Sequence, residues 1–248
     1  NLSIDYQNPD GTYTSFSYGA ASGSNQWGMA VGDVDNDGHK DFVSGGSYDG
    51  VHYKAISARG VSSAWTNLDN GNMFMQCMNM ADINNDGDLD VFGCHDDAAP
   101  RIWLNNGNGG LAYNNYVNFA TTPSSDMSGN YSSTFTDFDN DGDLDFHITK
   151  CRQGVNSPTD PRRWNRLFVN NGSNQYTDQA AAWGLQNQEQ SWSSDFADID
   201  NDGDLDLITT NHSTTAQLFL NDGTGHYTNA TTGSGLQYSN FFLQSKCE

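Results

Sequence analysis

Asp198-Ile-Asp-Asn-Asp-Gly-Asp-Leu-Asp206 is the stretch on which the fold turns. It recurs three times without gaps, as Asp33-Val-Asp-Asn-Asp-Gly-His-Lys-Asp41, Asp82-Ile-Asn-Asn-Asp-Gly-Asp-Leu-Asp90 and Asp137-Phe-Asp-Asn-Asp-Gly-Asp-Leu-Asp145. The first aspartates of successive copies lie 49, 55 and 61 residues apart. A second element follows the last three copies: Arg101-Ile-Trp-Leu-Asn-Asn-Gly107, Arg166-Leu-Phe-Val-Asn-Asn-Gly172 and Gln217-Leu-Phe-Leu-Asn-Asp-Gly223. Self-similarity at this period is the signature of a repeat architecture.

Each repeat reads as four short strands. One runs into the acidic loop (Trp27–Val31, Trp192–Ala197), and one leaves it (Asp41–Ser44, Asp206–Thr209). A third is the aromatic-aliphatic run before Asn-Asn-Gly or Asn-Asp-Gly, dipeptides that supply the positive φ of a tight turn, and a fourth follows around Tyr113, Tyr176 or Tyr227. Helical periodicity is absent, and Ala180–Trp183 is long enough only for a turn. Four-stranded units at this spacing predict an all-β chain, a β-propeller of four-stranded blades. The repeat units are expected near residues 24–70, 71–120, 128–183 and 188–232. Residues 1–18 and 236–245 read as terminal half-blades, compatible with five-bladed closure, with part of a larger propeller, or with completion by another chain.

Across 248 residues, Asp and Glu outnumber Lys and Arg by 31 to 10, a formal net charge of −21. That balance argues against nucleic-acid binding and against attraction to anionic membranes, both of which need basic patches. No apolar run approaches the roughly 18 residues of a membrane span. Eighteen of the acids fall in the four loops. Within each loop carboxylates or amides occupy positions 1, 3, 5 and 9, and glycine at 6 permits a sharp bend. Such spacing turns hard oxygen donors toward one point, the chemistry of calcium rather than of zinc or iron. Bare carboxylates 4 Å apart repel by about 4 kcal/mol per pair at an effective dielectric near 20. An EF-hand is excluded, because position 12 is Ser44, Gly93, Ile148 or Thr209 instead of Glu, and the flanks are strand-like.

These loops resemble the Asp-x-Asp-x-Asp-Gly-x-x-Asp loops of FG-GAP/VCBS-type repeats, as in integrin α-chain propellers. The resemblance implies an extracellular calcium-stabilised propeller of about four ions, one per loop. It assigns as ligands Asp33, Asp35, Asp37 and Asp41 with His39; Asp82, Asn84, Asp86 and Asp90 with Asp88; Asp137, Asp139, Asp141 and Asp145 with Asp143; and Asp198, Asp200, Asp202 and Asp206 with Asp204. The seventh residue of each loop contributes its backbone carbonyl. Asn84 and His39 lower the charge of their loops.

Cys77 and Cys94 flank the second loop at facing positions and are expected to pair as a disulfide, whereas Cys151 and Cys247 have no argument linking them. Sequons stand at Asn1, Asn130, Asn171, Asn211 and Asn229. Calcium loops, acidity and a disulfide favour secretion or the cell surface. No nucleophile turn or metal-spaced histidine pair points to an enzyme. The expectation is a non-enzymatic adhesion, ligand-binding or self-assembling module with a protein or glycan partner. A lectin-like propeller, with Trp65, Trp103, Trp164 or Trp183 as sugar platforms, is the alternative, and the propeller part of a polysaccharide-degrading enzyme is a more distant one. Arg152, Arg162, Arg163 and Arg166, in an insert of the third repeat, form the chain's basic cluster and a candidate contact patch.

Overall fold

The computed structural model describes residues 1–20 and 25–236. The C-terminal strand expected within 236–245 and the Cys247 thiol therefore lie outside the described residues. The chain divides into two compact units, Asn1–Gly93 with Arg101–Asn114, and Cys94–Pro100 with Asn115–Glu248. The regular structure of the described residues is all β apart from one 3₁₀ turn at Pro161–Arg163, and no helix among them is long and apolar enough to cross a membrane.

In the first unit, β1 (Ser3–Gln7) and β2 (Tyr13–Ser17) form a two-stranded antiparallel sheet. Their turn is closed by Gly11, at φ 83°, whose N–H donates to Asn8 O over 2.9 Å. A four-stranded sheet follows in the order β3 (Gln26–Gly32), β4 (Asp41–Gly46), β5 (Val51–Lys54), β8 (Thr66–Asp69). A small hairpin, β6 (Ile56–Ala58) and β7 (Val61–Ser62), is inserted before its last strand, where this repeat lacks the Asn-x-Gly turn of the others. The next sheet contains β9 (Met75–Ala81), β10 (Asp90–His95), β11 (Arg101–Leu104) and β12 (Ala112–Asn114). The second unit repeats the pattern twice. One sheet is β13 (Asn130–Thr136), β14 (Asp145–Lys150), β15 (Arg166–Asn170) and β16 (Tyr176–Asp178). The other is β17 (Ser191–Ala197), β18 (Asp206–Asn211), β19 (Gln217–Asn221) and β20 (Tyr227–Asn229). Each four-stranded sheet is thus an antiparallel meander whose first hairpin carries an acidic loop.

Registers repeat as well. The residue before position 1 faces position 9: Gly32 with Asp41, Thr136 with Asp145, Ala197 with Asp206. The second strand of each repeat is buried on both faces, and the first is less buried. In β3, Gly28 and Gly32 are buried while Trp27, Met29 and Val31 are exposed. The core of the first unit gathers Val34, Val43, Val51, Tyr53, Met75, Met78 and Trp103; one core of the second gathers Phe138, Leu167, Leu185, Leu207, Phe219 and Tyr227. Glycine makes the first core possible. A Cβ on Gly45 would fall 2.7 Å from Met75 Cβ and 3.2 Å from Met78 Sδ.

The expected disulfide is not formed: Cys77 and Cys94 are both thiols. The Cys77 sulfur is turned along its own strand, where it accepts from Asn79 Nδ2 at 3.5 Å and approaches Met78 O at 3.8 Å, instead of presenting the geometry a bridge requires. Two sequons are also structural. Asn130 and Asn211 are 2% exposed, and Asn130 Nδ2 donates to the carbonyls of His95, Ala98 and Met127.

Candidate metal loops

The four loops share one backbone. Position 4, asparagine in every copy, takes the left-handed conformation at Asn36, Asn85, Asn140 and Asn201 (φ 56–64°), and glycine at position 6 does so at φ 88–100°. Asparagine tolerates that region better than other side-chain-bearing residues and glycine enters it freely, so both identities are dictated by the turn.

The carboxylates divide by task. At position 1, Oδ2 accepts from the position-6 N–H, at 2.9 Å for Asp33, 2.8 Å for Asp82, 2.9 Å for Asp137 and 3.2 Å for Asp198. At position 5, Asp37, Asp86, Asp141 and Asp202 accept from the N–H of position 7 over 2.8–3.0 Å. The position-7 side chains Asp88, Asp143 and Asp204 turn instead to the neighbouring Asn-x-Gly turns. Their carboxylate oxygens stand 2.5–3.0 Å from where a Cβ on Gly107, Gly172 or Gly223 would sit. Glycine there makes room for the carboxylate.

Position 9 is the hub. Asp41, Asp90, Asp145 and Asp206 are 0% exposed. One oxygen of each accepts from the N–H of loop position 2 (Val34, Ile83, Phe138, Ile199) over 2.9–3.2 Å. The other accepts from an N–H beyond the second strand (Ile56, Asn105, Asn170, Asn221) over 2.7–2.9 Å. One buried carboxylate therefore ties the acidic loop to the next part of the sheet. Burial outweighs these hydrogen bonds, pushing Asp90 up to about 6 and Asp145 up to about 7. Burial also raises Asp35 and Asp139, reinforced by neighbouring carboxylates.

Three loops bring carboxylate oxygens from three residues within 4.8 Å of one another: Asp33, Asp35 and Asp37; Asp137, Asp139 and Asp145; Asp198, Asp200 and Asp206. In the second loop Asn84 replaces one carboxylate, and its Nδ2 donates to Asp86 Oδ2 at 2.8 Å. Two buried carboxylate oxygens, Asp33 Oδ1 and Asp139 Oδ1, have no hydrogen-bond partner. A buried anionic oxygen left without a donor is costly unless a cation meets it, so these residues fit a hard divalent ion.

The basic insert is tied inward. Arg152 pairs with Asp97 at 2.7 Å and Asp96 at 3.3 Å, Arg162 with Asp160 at 2.7 Å and Asp126 at 3.5 Å, Arg163 with Glu189 at 4.0 Å, and Arg166 with Asp178. Each of the four arginines of the insert thus has an acidic partner within the second unit. Of the tryptophans considered as platforms, Trp103 is 0% exposed in the core and Trp65, Trp164 and Trp183 are partly buried. The exposed one is Trp27, at 60%, in the first strand of the first repeat.

This arrangement of acidic hairpins in repeated meanders defines a class. The FG-GAP-like repeat family matches at residues 82–148 and 155–209, and the chain belongs to it. No curated protein matches the chain by sequence. Among solved structures, it is similar to an Agrocybe aegerita lectin described in terms of specific recognition of non-reducing terminal N-acetylglucosamine (19% identity, TM-score 0.51, covering 84% of this chain and 54% of that one). It is also similar to the V. cholerae biofilm matrix protein Bap1 (15% identity, TM-score 0.47, 86% of this chain and 30% of that one). The chain thus spans about half the length of the lectin it matches.

Proposed function

We propose that the chain is a calcium-stabilised β-propeller module of an extracellular protein that binds a ligand without catalysing a reaction. About four ions act as structural pins, one at each acidic hairpin. The observation that carries this reading is the convergence of carboxylate oxygens in the repeated loops, with Asp33 Oδ1 and Asp139 Oδ1 buried and without donors. By this reading positions 1, 3, 5 and 9 offer side-chain oxygens and position 7 its carbonyl. The ion relieves repulsion that the loop cannot relieve alone, and the rigid turns hold sheet faces and loops in fixed positions for a partner. The test is isothermal titration with calcium of chelator-stripped protein: saturable binding supports the proposal, and absence of binding refutes it.

A glycan is the second reading for the partner. A specific observation favours it: Trp27 and Tyr48, 60% and 52% exposed, flank Phe74 at ring distances of 5.5 and 5.6 Å. Tyr48 is held at φ 62°, an unusual backbone for an aromatic residue. Exposed aromatic faces suit sugar rings, and the lectin of similar fold makes sugar a sensible first probe. A glycan array on calcium-loaded protein decides it; binding to no sugar retires this reading and leaves a protein ligand.

A further inference from the structure

The two acidic loops of the first unit are joined to each other by asparagine side chains. Position 4 of the first loop, Asn36, reaches the second: its Nδ2 donates to Asp88 Oδ1 at 2.7 Å and to Gly107 O at 3.5 Å. Asn105, buried just after β11, works in the other direction. Its backbone N–H donates to the hub carboxylate of Asp90 at 2.8 Å. Its Nδ2 donates to Leu89 O of the second loop at 3.1 Å and to Val34 O of the first at 2.7 Å. Val34 in turn donates its N–H to the first hub, Asp41, at 2.9 Å. A continuous line of hydrogen bonds therefore runs from Asp90 through Asn105 and Val34 to Asp41. Packing follows the same path, since a Cβ on Gly109 would fall 3.1 Å from Asp35 Cβ, and one on Gly32 2.7 Å from Leu89 Cδ1.

The second unit has equivalent residues without this link. Asn221 stands in the last repeat where Asn105 stands in the second, and its N–H likewise donates to the hub, Asp206, at 2.9 Å. Its Nδ2 stays within its own repeat, on Leu205 O at 3.3 Å and the Tyr227 hydroxyl at 3.4 Å. By strand register the place of Tyr227 is taken in the second repeat by Leu111, which has no hydroxyl to offer. Among the described residues no hydrogen bond joins Asn140 to Asp204, the counterparts of Asn36 and Asp88.

Linked loops do not take up ions independently. An ion that fixes one loop also fixes the carbonyl or carboxylate to which the other is bonded, so the second ion has less chain left to order. Repulsion between the two ions acts the other way, but salt screens it and leaves the hydrogen bonds. We propose that Asn36 and Asn105 are positioning residues that make the first and second loops bind calcium cooperatively, as a pair, whereas the third and fourth lack this coupling. This deepens the calcium reading and rests on it. It also gives a place to the two departures from the loop pattern: His39 and Asn84, each lowering its loop's charge, fall in the two loops that support each other.

The test is a calcium titration of chelator-stripped, isotope-labelled protein, read by NMR at the position-6 amides of Gly38, Gly87, Gly142 and Gly203, one reporter per loop. In the intact chain Gly38 and Gly87 should shift together, at one midpoint and with a sigmoidal response. Asp86→Ala, which takes a ligand from the second loop, should weaken calcium at Gly38 roughly tenfold, and Asp37→Ala should weaken it at Gly87 by the same factor, because coupling is reciprocal. Asn36→Gly keeps the left-handed turn and Asp88→Ala keeps the position-7 carbonyl, so both loops still bind; each change should shrink that factor, and the two together no more than either alone. Asp202→Ala should leave the third loop's affinity, read at Gly142, as it was. The proposal is overturned if Gly38 and Gly87 titrate at separate midpoints with hyperbolic curves, an outcome the intact chain delivers whether or not a variant folds. It is equally overturned if Asp86→Ala leaves the affinity at Gly38 unchanged, or if Asn36→Gly leaves the coupling whole. Shifts at none of the four glycines would refute the calcium reading itself, whereas independent shifts at all four would refute only the coupling.

Discussion

The first and third acidic loops share a backbone and differ in what their ninth aspartate does. Asp145 takes two N–H donors, joins Asp137 and Asp139 in a cluster of oxygens, and is pushed by burial up to about 7. Asp41 takes the same two donors and a third, the Tyr53 hydroxyl at 3.0 Å on the oxygen that also serves Val34 N–H. The cluster in the first loop is accordingly made by Asp33, Asp35 and Asp37. A single tyrosine adds a second donor to an oxygen whose counterpart in the third loop accepts from the Phe138 N–H. The first loop also has His39 in place of an acid, and it lies outside the segments that match the family. The proposed calcium sites are therefore expected to differ in strength although their turns are alike, the third above the first.

The largest expected effects come from removing a hub. Asp145→Ala leaves the Phe138 and Asn170 N–H groups buried without acceptors, at 1–3 kcal/mol each, so a loss of about 3 kcal/mol and of roughly 6–12 °C in melting temperature is expected. Asp41→Ala should cost at least as much stability but less calcium affinity. If calcorimetric affinity falls more in the first loop's variant, the ranking of the two loops is wrong.

Next is the pH response of chelator-stripped protein. Asp90 and Asp145 have folded pKa values, about 6 and about 7, above the ordinary value of 3.8, so between pH 4 and 7 the folded state holds more protons than the unfolded one. Stability of the metal-free chain therefore falls as pH rises through that window. Calcium competes with those protons, so the thermal gain on adding calcium should shrink from pH 7.5 to pH 5.5. Melting curves at both pH values, with and without chelator, check both signs.

Tyr53→Phe sharpens the comparison. It removes one hydrogen bond, about 1 kcal/mol, and frees an Asp41 oxygen, so metal-free stability should drop slightly while calcium affinity at the first loop rises. An unchanged titration would show that the hydroxyl is not what separates the loops. A further effect is shared by both loops. Gly38→Ala and Gly142→Ala, at φ 88° and 92° with nothing within 4 Å of either new Cβ, should each cost about 1–2 kcal/mol. Unequal costs in denaturant melts would mean that the two turns differ in backbone after all.

Much of the fold was legible because its signals are local. The strands flanking the acidic loops, β3 and β4, β17 and β18, fall within a residue or two of where alternation and turn residues placed them. The N-terminal hairpin likewise appears as two strands around Asn8-Pro9-Asp10-Gly11. What escaped depends on where side chains point. Sequence spacing put Cys77 and Cys94 opposite each other but could not show the Cys77 sulfur turned along its strand. Two of the acidic partners of Arg152, Asp96 and Asp97, lie more than fifty residues away, so their pairing with the insert was not legible in the sequence. The burial of position 9, and the diversion of position 7 to the Asn-x-Gly turns, follow from how loop and sheet meet.

The central claim is that divalent ions hold the acidic hairpins, and metal content measured together with thermal stability tests it most directly. Protein purified without chelator should carry about four calcium ions per chain, and stripping them should lower the melting temperature, each loop contributing about 4 kcal/mol when calcium stands a thousandfold above its Kd. Protein that carries no metal, and melts at one temperature with or without chelator, would contradict the account.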